Sequence, residues 1–187
     1  MSGSPSDWES LRIVVQGASG SGKSSLATAL ADSLGLPQLE LDSIYHQPGW
    51  TSLDVGEFRR LVSAFAAEPA WVVDGNYSQV RDLLWPRANI IVFVDLPRRV
   101  VMARLIKRTL RRMLHHENLW NGNRESLRNL VSIDPARNII LWSWFTHAKY
   151  HDVVPNEARE HASHAKVLTL HTAREVQAFL RNVRTFV

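Results

Sequence analysis

Residues 17–24 read Gly17-Ala18-Ser19-Gly20-Ser21-Gly22-Lys23-Ser24, and no other stretch restricts the chain so tightly. The spacing is G-x-x-x-x-G-K-[ST], in which glycines let the backbone turn so that successive N–H groups point into one concavity. That concavity, with the N-terminus of a helix behind it, suits a polyphosphate. The pattern carries this meaning only between a strand and a helix, and both neighbours are present. Residues 11–16 form an apolar run of strand length, and residues 25–34 have helical spacing closed by Gly35 and Pro37. In that setting Gly17 to Ser25 form the phosphate cradle. Lys23 is placed to reach the β- and γ-phosphates, and the Ser24 hydroxyl to ligate Mg²⁺. The glycines are not spaced G-x-G-x-x-G, which disfavours a dinucleotide-binding turn.

The rest of the chain continues a strand–helix rhythm. Residues 38–41 predict a second strand ending at Asp42, followed by a loop through Trp50 that contains the turn signal Pro48-Gly49. Residues 54–68 predict a helix with Phe58, Leu61, Val62 and Phe65 on one side. Residues 71–73 predict a third strand stopped by Asp74-Gly75-Asn76, and residues 77–85 a short helix ended by Pro86. The nearly unbroken apolar run 89–94 suits a strand buried on both faces, ending at Asp95. Residues 165–170 predict the last strand, with Thr172 capping a closing helix. Alternation of this kind predicts an α/β fold with a parallel sheet and sites at the strands' C-terminal ends, where Asp42, Asp74 and Asp95 all fall.

With 187 residues the expectation is one domain over 11–187, preceded by a flexible polar tail, 1–10. There are no cysteines, which excludes disulfides and thiolate metal sites. The N-terminus is small and polar, unlike a signal peptide, and no apolar run approaches the roughly 20 residues needed to span a bilayer. The expected setting is cytoplasmic, without membrane contact. The formal charge of +4 permits an anionic ligand without choosing between ATP and nucleic acid.

Charge is concentrated between Arg98 and Arg112, which hold seven basic residues and no acidic one. A helical wheel gathers Arg104, Lys107, Arg108, Arg111 and Arg112 on one face, with Met102, Ile106, Leu110 and Met113 opposite. Such a face is open to three readings: a solvated cationic surface, a clamp on ATP phosphates, or a nucleic-acid backbone contact. Residues 113–137 break the strand–helix rhythm as a mobile lid over a site would, with Arg124 available as a lid arginine. Residues 138–150 then predict a helix packing through Ile139, Ile140, Trp142 and Phe145. His147 and His151 lie one turn apart but without the Glu of an H-E-x-x-H arrangement, so surface histidines are expected there.

Several nucleotide-using classes share the phosphate loop. No Asn-Lys-x-Asp element for guanine is present, and Gly75 and Leu96 stand where a water-activating Glu would follow the Mg²⁺-associated aspartate. Transfer to an acceptor is therefore favoured over hydrolysis. Asp42 with Pro48-Gly49-Trp50, the run from Trp71 to Tyr77, and Phe93-Val94-Asp95-Leu96-Pro97-Arg98 together resemble adenylate-kinase-like ATPases often labelled DNA topology modulation proteins. The wider resemblance is to nucleotide and shikimate-type kinases, and it implies a five-stranded parallel sheet in the order 2-3-1-4-5.

That resemblance implies roles residue by residue. Asp74-Gly75 matches the Asp-Gly of adenylate kinase's Asp-Gly-Phe-Pro-Arg, whose carboxylate sits behind the Mg²⁺ water shell. Asn76-Tyr77 replaces Phe-Pro, and the nearest arginine is Arg81. Arg104 and Arg108 match the Arg-x-x-x-Arg that leads into the adenylate kinase lid and holds ATP. Asp42 lies where shikimate-type kinases place an aspartate that binds or deprotonates the acceptor hydroxyl; a strand-end carboxylate capping the next turn is the other reading. The expected protein is a Mg²⁺-ATP-dependent phosphotransferase on a nucleotide or other small molecule. Lys23, Asp42, Arg104 and Arg108 would be catalytic, and Ser24 and, through water, Asp74 would hold the metal. Tyr45, Trp50, Gly75, Asn76, Tyr77 and Arg81 would line the acceptor side with Asp42 and Asp74. The alternative is a nucleic-acid-associated or regulatory ATPase using residues 98–112, although nothing resembles a base-reading module.

Overall fold

The computed structural model describes residues 10–115, 117–123, 134, 138–148, 150–151 and 154–186. The tail 1–9, Arg124 and most of the expected lid lie outside the described residues. Five strands, β1 (Arg12–Gly17), β2 (Gln38–Glu40), β5 (Trp71–Asp74), β6 (Ile90–Val94) and β7 (Lys166–Leu170), form one parallel sheet in the order β2-β5-β1-β6-β7. Counting only these strands, the order is the expected 2-3-1-4-5. A two-residue hairpin, β3 (His46–Gln47) with β4 (Thr51–Ser52), stands apart from it.

The sheet is buried on both faces because its residues alternate between two apolar layers. Ile13, Val15, Val72, Ile90, Val92 and Val94 join Leu26, Ala27 and Leu30 of α1 (Lys23–Leu34) and Phe179 and Val183 of α8 (Ala173–Phe186). Val14, Val73, Ile91 and Phe93 face the other way, onto Phe58 and Val62 of α3 (Val55–Ala66), Leu84 of α4 (Arg81–Leu84) and Ala158 of α7 (Val154–His161). Helix ends follow local chemistry. Asp54 accepts the Glu57 N–H at the start of α3, and Thr172 Oγ1 accepts the Glu175 N–H at the start of α8 while Glu175 reaches back to the His171 N–H.

Three local expectations are corrected. The second strand stops at Glu40, and Leu41–Tyr45 is a one-turn helix, α2, so Asp42 sits on a helical turn just past the strand rather than at its last residue. On α5 (Arg98–Leu114) the buried face is Val101, Met102, Leu105 and Thr109, whereas Ile106 and Leu110 are exposed. The buried face is rotated because α5 packs against the glycine loop 17–22, where a Cβ on Gly20 would lie 2.7 Å from the Val101 carbonyl oxygen. On α6 (Ile139–Ala148) the small and polar Ser143 and His147 are buried, whereas Trp142 and Phe145 are exposed. A helix apolar on nearly every side gives periodicity nothing to choose between, and here hydrogen bonds choose: Ser143 Oγ donates to the Ser19 carbonyl at 3.0 Å, and His147 Nε2 lies 3.1 Å from the Leu96 carbonyl.

Candidate active site

The loop from Gly17 to Gly22 connects β1 to α1 at the C-terminal edge of the sheet. Gly20 and Gly22 adopt φ of 92° and 97°, and Gly22 is the residue that caps α1. Gly17, at φ 151°, has no room for a side chain: a Cβ would stand 2.5 Å from the Val94 carbonyl oxygen. The loop is held from outside as well. Asn76 accepts the Gly17 N–H at 3.1 Å and donates back to the Gly17 carbonyl at 2.6 Å. Arg104 reaches over the loop from α5, its Nη1 3.3 Å from the Ser21 carbonyl. Arg108 follows one turn further along the same helix and is half-buried.

Lys23 opens α1 and is buried. Ser24 donates to Asp74 Oδ2 at 2.6 Å, and Gln38 Nε2 lies 3.4 Å from Asp74 Oδ1. Asp74 itself is 1 % exposed. Burial pushes its carboxyl up to about 6; the Ser24 hydrogen bond and Lys23 oppose that rise, and the nearby Glu40 and Asp42 add to it. Of the aspartates at strand ends, Asp74 is the one beside Ser24. Asp95, also buried, instead lies 2.7 Å from His151 Nδ1 and 3.0 Å from His171 Nδ1, in a cleft lined also by Leu96, Arg98 and His147. His147 is thus buried against a carbonyl rather than on the surface, whereas His151 is exposed as expected, with its ring against Asp95. Among the described residues no group of three or more His, Asp or Glu is arranged to hold a metal ion by itself.

Opposite the loop, α2 presents Asp42. The Tyr77 hydroxyl donates to Asp42 Oδ1 at 2.6 Å and lies 3.3 Å from His46 Nε2. A phenol has one proton, so with that proton on the Asp42 bond, His46 must donate from Nε2. Burial first, and then Asp42, push the Tyr77 hydroxyl far above its usual range, so it stays neutral at every working pH. Tyr45 packs on Tyr77 at 4.5 Å between ring centroids. Gly75, at φ 142°, lets the chain pass Leu41 where a Cβ would come within 2.8 Å of the leucine side chain. Arg81 is turned elsewhere: it pairs with Glu157 at 2.6 Å and stacks 4.9 Å from the Trp85 ring. Trp50 is half-buried on the loop beyond α2.

Sequence reasoning missed the fastening of residues 119–123 to that loop. Asn121 Nδ2 donates to the carbonyls of Ser43 at 3.2 Å and His46 at 2.6 Å, and Asn123 Nδ2 to that of Gln47 at 2.9 Å. The Trp50 N–H donates to Asn123 Oδ1 at 3.0 Å, and Trp120 Nε1 to Glu40 Oε2 at 2.8 Å. Asn121-Gly122-Asn123 announces a turn, but nothing local announces what the turn touches.

No family model matches the chain, and no curated protein matches it. Solved structures do. A shikimate kinase from Acinetobacter baumannii aligns with a TM-score of 0.56 at 15% identity, over 98% of this chain and 96% of that one. The fold is that of the P-loop kinases. A gluconokinase from Sinorhizobium meliloti gives 0.51 at 20% identity, covering 95% of each chain. A sugar kinase from a Janibacter species gives 0.54 at 18%, covering 94% and 93%. No helix among the described residues is long and apolar enough to cross a membrane.

Proposed function

We propose that the chain is a Mg²⁺-ATP-dependent phosphotransferase acting on a small hydroxylated acceptor, built as one kinase-like domain over residues 11–187 with a lid-like segment at about 113–137. The observation that carries this reading is the pairing of two half-sites across one sheet edge: Lys23, Ser24 and Asp74 on one side, the Asp42–Tyr77 pair on the other. Their closeness is visible in Asp74, whose ionisation is opposed by Asp42 as well as by burial.

The residues present fit a nucleotide triphosphate with its metal. The loop glycines leave a cradle that a Cβ on Gly17 or Gly20 would destroy. Ser21 Oγ is buried without a partner among the described residues. Ser24 and Asp74 supply one hydroxyl and one buried carboxylate, the hard oxygen donors that Mg²⁺ takes. When bound, Mg²⁺ would neutralise charge on the transferred phosphoryl group.

The chain's own residues then have separable tasks. Backbone N–H groups of the loop and the start of α1 orient the phosphates. Lys23 meets charge on the transferred group, Arg104 stands over the loop to add to it, and Arg108 follows on the same helix. Asp74 stays ionised above about pH 6 to order the metal's waters. Asp42 has one oxygen engaged by Tyr77, which leaves Oδ2 to accept the proton of an acceptor hydroxyl as it attacks. Arg111 and Arg112 face Glu117, at 3.2 and 3.9 Å, so the end of the basic helix is partly neutralised within the chain. That disfavours a nucleic-acid contact along its length.

The resemblance to adenylate-kinase-like ATPases supports the ATP side of this reading. On the acceptor side, Asn76 binds Gly17 and Arg81 binds Glu157, so neither repeats adenylate kinase's phosphate-reading Phe-Pro-Arg. The test is phosphate transfer from Mg²⁺-ATP to a panel of hydroxylated metabolites and nucleosides, with Lys23→Ala alongside. Transfer should fall by about 100-fold or more in the variant, with its far-UV spectrum unchanged. Undiminished turnover in Lys23→Ala would overturn the scheme.

A further inference from the structure

The phosphotransferase reading leaves the acceptor's chemistry open, and the wall opposite the phosphate loop narrows it. Residues 119–123 close on themselves, with the Leu119 N–H donating to the Asn123 carbonyl at 2.7 Å and Asn121 in the left-handed region at φ 55°. The buried Asn123 side chain then uses both donor and acceptor on the main chain of Gln47 and Trp50, as a neighbouring strand would. This lays the Trp120 ring on His46, 5.9 Å between centroids and 27° apart, while Trp50 meets His46 edge-on at 5.4 Å. His46 is one hydrogen bond from Tyr77 and two from Asp42. Three rings are thereby fixed beside the residue expected to receive the acceptor's proton.

The charges around this wall are of one sign. Glu40 holds Trp120 and Asp42 holds Tyr77, so two carboxylates border it. Among the described residues the neighbouring cations are already engaged. Lys23 belongs to the phosphate loop, Arg59 pairs with Asp82, and Arg81 pairs with Glu157 in a cleft of about 320 Å³ lined by Trp85, Pro86 and His161. Among the described residues this wall itself carries no arginine, so a phosphate or carboxylate on the acceptor would enter beside carboxylates without the fork that such groups require. A ring carrying hydroxyls, or hydroxyls and an ammonium, meets no such penalty. Its C–H face can lie on indole, its hydroxyls on carboxylate and imidazole, and an ammonium gains from both.

We propose that residues 120–123, the fastened part of the lid-like segment, form the outer wall of the acceptor pocket, and that with His46, Trp50, Glu40 and Asp42 they select a hydroxylated ring bearing neither phosphate nor carboxylate, uncharged or aminated. The proposal rests on the phosphotransferase reading for the pocket's purpose and on the clasp for its chemistry. Binding, measured apart from transfer, tests it. The full-length protein with Mg²⁺ and a non-hydrolysable ATP analogue is titrated with matched probes: glucose against gluconate, glucosamine against glucose 6-phosphate, adenosine against AMP, and inositol against shikimate. Tryptophan fluorescence and thermal shift report binding.

At least one uncharged or aminated probe should bind about tenfold or more tightly than its anionic counterpart. Asn123→Ala and Trp120→Ala should weaken that probe by about tenfold while leaving affinity for the ATP analogue unchanged, which separates loss of the wall from loss of the fold. Tighter binding of the anionic members would overturn the proposal. So would an absence of binding by every uncharged and aminated probe at about 10 mM, or unchanged affinity in both variants. Binding of an uncharged or aminated probe with no phosphate transferred to it would instead overturn the kinase reading and leave the pocket's selectivity standing.

Discussion

Replacing Asp74 by Asn should make the ligand-free protein more stable and its catalysis worse. Asp74 is 1 % exposed and its carboxyl is pushed up to about 6 from an ordinary 3.8. The sign follows from which state holds the proton: between those values the folded chain keeps a proton that the unfolded chain has released, so stability falls as pH rises through the window. Above it the full cost is present, about 3 kcal/mol for a shift of this size at 1.36 kcal/mol per unit, and at pH 5 about half of that. Asn keeps the shape and can still accept from Ser24, so loss of hydrogen-bond quality returns about 1 kcal/mol. The net gain of about 2 kcal/mol at pH 8 corresponds to a rise of about 4–8 °C in Tm for a chain of this size. The assay is thermal unfolding of both proteins, without nucleotide or metal, at pH 5 and pH 8, together with Mg²⁺-ATP turnover. The variant's advantage should grow from pH 5 to pH 8, and its turnover should fall by about 100-fold. A variant no more stable than the parent at pH 8, or an advantage that does not change with pH, would refute the idea that Asp74 is held ionised at a cost to the fold.

The same carboxyl sets a pH limb: kcat/KM for Mg²⁺-ATP should drop as pH falls below about 6, and a limb displaced to about 4 would show that Asp74 is not the group titrating. Asn76→Ala removes both hydrogen bonds to Gly17 and should cost about 2 kcal/mol in urea unfolding. It should also weaken ATP binding, and equal affinity would show that the loop holds its shape unaided. Gly75→Ala combines an unfavourable φ of 142° with a Cβ 2.8 Å from the Leu41 side chain, and should destabilise by about 3 kcal/mol. Adding Leu41→Ala should not restore the parent's stability, because the closest contact is with the Leu41 Cβ, which alanine keeps, and the backbone strain remains.

Much of the fold was legible because it is written locally. The β1–loop–α1 unit, the apolar run of β6 and the Thr172 cap each depend on residues within about two dozen positions of one another. The sheet order followed once those units were matched to a known topology. Side chains that bind backbone far away in the chain were not legible. Asn123 meets Gln47 across 76 positions and Ser143 meets Ser19 across 124, and neither asparagine nor serine signals its partner by spacing. Asp74 and Asp95 look alike in sequence, each closing an apolar strand. Only the fold shows one beside Ser24 and the other between two histidines. The α5 stripe failed for a related reason: which apolar residues are covered depends on the glycine loop packed against that helix, and periodicity cannot contain that.

The central claim is that the half-site around Lys23 and Asp74 and the half-site around Asp42 and Tyr77 act on one phosphoryl group. The direct measurement is the destination of the γ-phosphate, followed by ³¹P NMR with Mg²⁺-ATP and the acceptor that binds best. In the parent a new phosphate ester should form in step with ADP. In Asp42→Asn the ester signal should be lost while binding of the ATP analogue remains. Inorganic phosphate as the sole product, at a rate indifferent to the acceptor and to Asp42→Asn, would contradict that claim.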